Sequence, residues 1–295
     1  MGRYWKKKTD SPFAWCLAFL FSVTFIVLFS DYYVCDPVFY QLDASRIESA
    51  SFRQMDFGDN GLKVLTNFAK KNSYELSEVV TVVMVSNSYH LTDYGLNHLN
   101  RIWYEAQKIK MYDERPADFL KIKNAYHTIL NSLTYFPVPE STNFTVKPVG
   151  FENSWRNERT YGGDRKHEGT DVMGESYDRG FYPIISMGDG IVEKMGWLEQ
   201  GGWRIGIRTK EGAYFYYAHL YSYADNLRVG DEVKSGQLIG YMGDTGYSKV
   251  EGTQGNFPVH LHLGVYVQTD HFEEMSVNPY YILKFLENST LKYDY

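Results

Sequence analysis

Cysteine is nearly absent: the 295 residues contain two, Cys16 and Cys35. One falls early in an apolar run and the other just beyond it. A helix of that length would hold them ~28 Å apart, far outside disulfide reach. The rest of the chain therefore has no internal disulfide, and its fold rests on a packed core and on any metal it holds. Excess positive charge is missing too. Thirty Lys and Arg face 36 Asp and Glu, a net charge of −6, which argues against a nucleic-acid partner. No internal repeat or low-complexity run stands out. Aromatics, by contrast, are plentiful at 17%, with 26 tyrosines, which suits β-rich structure. Histidine is scarce at eight, so its placement carries information.

Charge is also missing locally. Residues 11–30 hold no charged side chain, and 13–29 are almost wholly apolar. Twenty helical residues span ~30 Å, the thickness of a bilayer core. Arg3, Lys6, Lys7 and Lys8 precede the run, while Asp31 and Asp36 follow it. The positive-inside rule then predicts a cytoplasmic N-terminus, a single membrane pass and an extracytoplasmic remainder. A cleaved signal peptide is the rival reading. The run is long for that class and no small-x-small site follows it. Cys35, preceded by Tyr33 and Val34, does not sit in a lipoprotein context.

The expected organisation has three parts: a tail and anchor over 1–35, a juxtamembrane stalk and helical region over 36–136, and a β-rich domain over 137–295. Residues 36–60 read as the stalk. In 116–133, Phe119, Ile122, Tyr126, Ile129, Leu130 and Leu133 recur at helical spacing behind a proline. Leu96, Leu99, Trp103, Ala106 and Ile109 suggest a second amphipathic helix. Residues 79–85 are β-branched and ambiguous. This helical region is either a packing module or an element that binds a protein partner. Phe136-Pro137-Val138-Pro139 breaks the pattern. Beyond Val149, strands are expected at 191–192, 203–208, 213–219 and 259–267, then a closing helix over 278–286. The fold class is α+β.

Four of the eight histidines fall in three short motifs: His167-x-x-x-Asp171, Tyr217-Ala218-His219-Leu220 and His260-Leu261-His262. Nitrogen and oxygen donors at such spacings suit Zn²⁺, whose catalytic sites use three protein ligands and leave a position for water. On a strand, His260, His262 and Gly264 share one face, with the two imidazoles ~7 Å apart. Gly169 and its neighbours Gly162, Gly163 and Gly174 favour a loop over a helix at 167–171. Glu168 is a weaker ligand candidate. Each motif alone would read as an ordinary surface or structural feature. The combination is far more specific.

These stretches, with Gly188-Asp-Gly-Ile-Val, Val233-Lys-Ser-Gly-Gln-Leu-Ile-Gly and Gly243-Asp-Thr-Gly-Tyr-Ser, resemble the lysostaphin/LytM-type zinc metallopeptidases in order over 150–268. Tyr161-Gly-Gly and Val277-Asn-Pro-Tyr are similar to a LytH-like sporulation branch. The resemblance implies a LytM-type peptidase domain (a duplicated hybrid motif of antiparallel sheets) and one Zn²⁺ held by His167, Asp171 and His262. It implies that His219 and His260 flank the fourth position and act on the water and the tetrahedral intermediate. It implies an endopeptidase of the bacterial cell wall, anchored in the lipid bilayer and acting on peptidoglycan. A non-enzymatic scaffold or activator of wall remodelling or sporulation is the alternative. Tyr161 is a further candidate donor to the attacked oxygen. The stretch 249–257 is an insertion relative to the shortest members.

Overall fold

The computed structural model describes residues 12–30, 37–161, 163–175 and 178–295. Cys35, Gly162, Arg3, Lys6, Lys7, Lys8, Asp31 and Asp36 lie outside them. The apolar run forms helix α1, Pro12–Phe29, and none of its side chains is buried. Its 18 residues make it long and apolar enough to cross a membrane.

The segment expected to be a stalk is instead folded onto the body. It contains helix α2 (Pro37–Gln41), a 3₁₀ turn (Ala44–Glu48) and helix α3 (Ala50–Arg53). Val38, Leu42, Phe52, Met55 and Phe57 from this stretch are buried. The Phe52 ring sits 4.7 Å from that of Tyr126. Helices this short present no periodicity, and their anchors are supplied by partners far along the chain.

Helices α4 (Gly58–Asn72), α5 (Leu76–Ser86), α6 (Asp93–Asn97), α7 (Arg101–Glu114) and α8 (Pro116–Leu130) follow. The β-branched run resolves as α5. Val79, Val80, Val82 and Val83 are fully buried, because α4, α7 and α8 pack around it. A helix enclosed on all sides leaves no polar face to mark its period. The expected helix through Leu96 and Ile109 is broken in two. Asn100 caps a new start, its Oδ1 accepting from the Trp103 amide at 3.0 Å. The buried side chains of α7 are then Tyr104 and Met111, and Ile109 faces solvent. Helix α8 matches its predicted stripe, with Pro116 at the start and Phe119, Ile122, Tyr126, Ile129 and Leu130 buried.

The C-terminal half is a sheet of ten strands among the described residues. They are β1 (Gly150–Phe151), β2 (Thr170–Met173), β3 (Pro183–Ile185), β4 (Gly190–Leu198), β5 (Gly202–Arg208), β6 (Tyr214–Tyr223), β7 (Glu232–Val233), β8 (Leu238–Met242), β9 (His260–Val267) and β10 (Met275–Val277). The antiparallel order runs β7-β4-β5-β6-β9-β2-β1, with β10 on β9 and β8 joining β3 to β6. Helix α9 (Tyr280–Leu286) closes the chain. Leu261, Leu263 and Val265 of β9 and Phe215 and Tyr217 of β6 point into the core. Helix α8 abuts β9, and one hydrophobic core runs from the helices into the sheet. The opposite face of β2, β6 and β9 is left open for the site.

Candidate metal centre

Register places the first two candidate ligands side by side. On β9, His262 lies directly opposite Asp171 of β2, and His260 lies opposite Met173. The loop before β2 supplies His167, as the surrounding glycines suggest. Gly169 permits the approach. A Cβ there would meet His262 Cε1 at 2.5 Å and the Leu263 carbonyl at 2.6 Å, so a side chain cannot fit without displacement.

Three donor atoms converge. His167 Nε2 is 3.0 Å from His262 Nδ1, and Asp171 Oδ1 is 3.1 Å from each of them. Ligands ~2.0–2.1 Å from a tetrahedral zinc would stand ~3.3 Å apart, so the triangle fits that ion closely. The surroundings also suit ligation. His167 donates from Nδ1 to the Ser154 carbonyl at 3.1 Å, which leaves Nε2 with its lone pair. Arg159 Nη2 donates to Asp171 Oδ2, so the carboxylate turns its other oxygen to the triangle. Burial alone would raise the Asp171 carboxyl. Close contact with the His167 and His262 imidazoles outweighs it and holds the group far below the ordinary carboxylate range.

Two further histidines face this triangle. By strand alternation His219 would share the core face of Phe215 and Tyr217. Its φ of 62° breaks the alternation, where the β5–β6 and β6–β8 registers also shift. The ring reaches the open face, 4.7 Å from His260 and 5.9 Å from His262 between centroids. His219 donates from Nδ1 to the Thr245 carbonyl at 2.7 Å, and His260 from Nδ1 to the Pro258 carbonyl at 2.8 Å. A carbonyl can only accept, so both rings carry their proton on Nδ1 and a lone pair on Nε2. Burial lowers the pKa of both below the usual histidine value, His219 well below it. His260 Nε2 stands 3.7 Å from Asp171 Oδ1, at the edge of the ligand triangle.

The other sequence candidates fall elsewhere. Glu168 lines the cleft but is outside the donor triangle and pairs with Arg53 at 3.4 Å. Tyr161 stacks on Tyr247, ring centroids 4.7 Å apart, and it is Tyr247 whose ring meets His219 at 5.5 Å. Several neighbours had not been singled out: Ser154, Arg159, Arg165, Tyr247 and Phe257. Phe257, at the end of the inserted stretch, packs against His219 at 4.7 Å and His260 at 5.2 Å. The cleft that results has a volume of about 440 Å³. Its walls include His167, His219, His262, Arg165, Tyr216 and Tyr247.

Comparison with known proteins agrees with this geometry. Residues 165–279 match the model of peptidase family M23, a span that contains all five convergent side chains. An L-Ala–D-Glu endopeptidase of Bacillus subtilis is 39% identical over 164 residues, covering 56% of this chain and 47% of that protein. The chain thus spans about half the length of that relative. Lysostaphin of Staphylococcus simulans is 41% identical over 68 residues, covering 22% of this chain and 13% of that protein. The crystal structure of a LytM protein from Ruminococcus gnavus ATCC 29149 superposes with a TM-score of 0.71 at 38% identity, covering 88% of this chain and 99% of that one. Fold, motif order and near-complete structural coverage together place the chain in peptidase family M23, with the LytM-type peptidases.

Proposed function

We propose that the chain is a membrane-anchored zinc metalloendopeptidase that hydrolyses peptide bonds of bacterial peptidoglycan, in the stem peptide or the cross-bridge. The observation that carries this reading is a three-ligand triangle facing two histidines with bare Nε2 atoms. His167, Asp171 and His262 would hold the ion. The chemistry zinc supplies in such a place is polarisation of a carbonyl and acidification of water.

The chain's own task is to move protons. His219 and His260 each present a lone pair on Nε2, so each can accept a proton from attacking water. Burial keeps both neutral, which favours the acceptor role at neutral pH. Once protonated, either ring can donate from Nε2 to the attacked oxygen or the departing amine. Phe257 and Tyr247 pack around the His219 ring and limit how much water reaches it.

The endopeptidase names of the relatives support the reaction class. Helix α1 supports attachment to a lipid bilayer, and the basic residues ahead of it support an extracytoplasmic site, where murein lies. The test is to incubate the purified, zinc-loaded full chain with defined muropeptides and weigh the products. We expect peptide fragments that a chelator abolishes. Fully zinc-loaded protein that is inert on every peptidoglycan type would overturn the reading in favour of a scaffold.

A further inference from the structure

The cleft carries a cation that the hydrolytic chemistry does not use. Lys166 lines it but pairs with Glu158 at 3.0 Å. Arg159, behind the ligands, is committed to Asp171. Arg165 also lines the cleft and is half-buried, yet none of the described residues offers it a carboxylate within 4.0 Å. It is nonetheless held firmly. Its Nε donates to the Tyr161 carbonyl at 3.2 Å and its Nη2 to the Tyr247 hydroxyl at 3.2 Å. Its guanidinium also lies over the Tyr247 ring, 5.5 Å from the centroid. That same ring touches His219.

A fixed positive charge beside a site built for a divalent cation is unfavourable unless an anion comes between them. No described side chain supplies that anion. Glu168, the acidic residue in the cleft wall, is engaged by Arg53. Among the described residues Nη1 has no hydrogen-bond partner, and it can complete a two-pronged contact with a carboxylate, the geometry in which arginine excels over lysine.

We propose that Arg165 is a specificity-determining residue that binds a substrate carboxylate next to the scissile bond. This rests on the endopeptidase reading and narrows it to acidic peptides. Tyr247 is the positioning residue, tying the guanidinium to the wall against which His219 packs. A neutral amide in place of the carboxylate leaves the arginine without its counter-charge.

The test uses two synthetic peptides with the order L-Ala, γ-linked D-Glu, L-Lys. One carries the glutamyl α-carboxylate free and the other has it amidated. For the zinc-loaded full chain we expect kcat/KM to favour the free carboxylate by about ten- to a hundredfold, chiefly through KM. In Arg165→Gln that ratio should fall to about one, with zinc content and thermal midpoint unchanged. Arg165→Lys should keep part of the preference. A wild-type ratio near one, or a preference that survives in Arg165→Gln, overturns the proposal and leaves the peptidase reading standing. Calorimetric binding of the two peptides to His260→Ala, with and without Arg165→Gln, separates the questions further. Tighter binding of the free carboxylate that is lost with Arg165→Gln supports the subsite even if the wild type cleaves neither peptide. Equal binding of the two peptides to His260→Ala overturns it.

Discussion

At the scale of the residue, the proposed division of labour among the histidines makes distinct demands on each. His262 contributes Nδ1 to the candidate ligand triangle, whereas His260 lies at its edge, with Nε2 3.7 Å from Asp171 Oδ1. His262→Ala should therefore lose bound zinc, while His260→Ala should keep zinc and lose turnover by about 10²–10⁴-fold. Metal analysis by atomic absorption beside a muropeptide assay checks both. Full activity in either variant would contradict the assigned roles. The histidines and Asp171 were legible in the sequence because nitrogen and carboxylate donors at ligand spacing are rare. Arg159 was not, since an arginine twelve positions from an aspartate has no diagnostic spacing. Phe257 was equally silent. It sits in a stretch whose sequence reads as a polar loop, and its contact with His219 depends on how that loop returns to β9. The left-handed turn at His219 could not be read either, because strand alternation predicts the opposite face.

At the scale of the element, legibility of the helices followed exposure. Strands β5, β6 and β9, though largely buried, were expected close to where they lie from their aromatic and β-branched runs. Helix α8 has one wet face, and its stripe announced itself. Helix α5 has none, so its period was hidden. The short helices before α4 gave no signal, because their stability comes from distant partners. Arg53 of α3 illustrates this, reaching the Ser276 carbonyl at 2.9 Å and its hydroxyl at 2.8 Å from 223 positions away. Helix α8 joins the helices to the sheet, since it packs on α5 and on β9. Its Phe119 is fully buried. Phe119→Ala should cost about 3–5 kcal/mol in urea unfolding, and a loss below ~1 kcal/mol would show that the helices do not support the sheet.

At the scale of the molecule, the continuous core means that helices and sheet should unfold together rather than as separate modules. Proton binding should tune that common stability. The pKa values of His219, His260 and His262 are lowered in the fold by burial, so below ~6.5 the unfolded chain takes up protons that the native one refuses. Their contribution is therefore intact above that pH and is lost as the pH falls toward the folded values. Asp171, held low, pulls in the same direction at still lower pH. Urea midpoints of metal-free protein should thus fall steadily from pH 7.5 to 5. A flat profile would mean that these rings are not buried in neutral form.

The folding of residues 37–57 onto the body has a mechanical corollary. Seven positions, 30–36, separate Phe29 from Pro37. Fully stretched, so few residues reach ~25 Å. If α1 lies in the bilayer, as proposed, the folded body is on a short leash. On the proposed reading, only peptidoglycan within about that distance of the lipid would come within its reach.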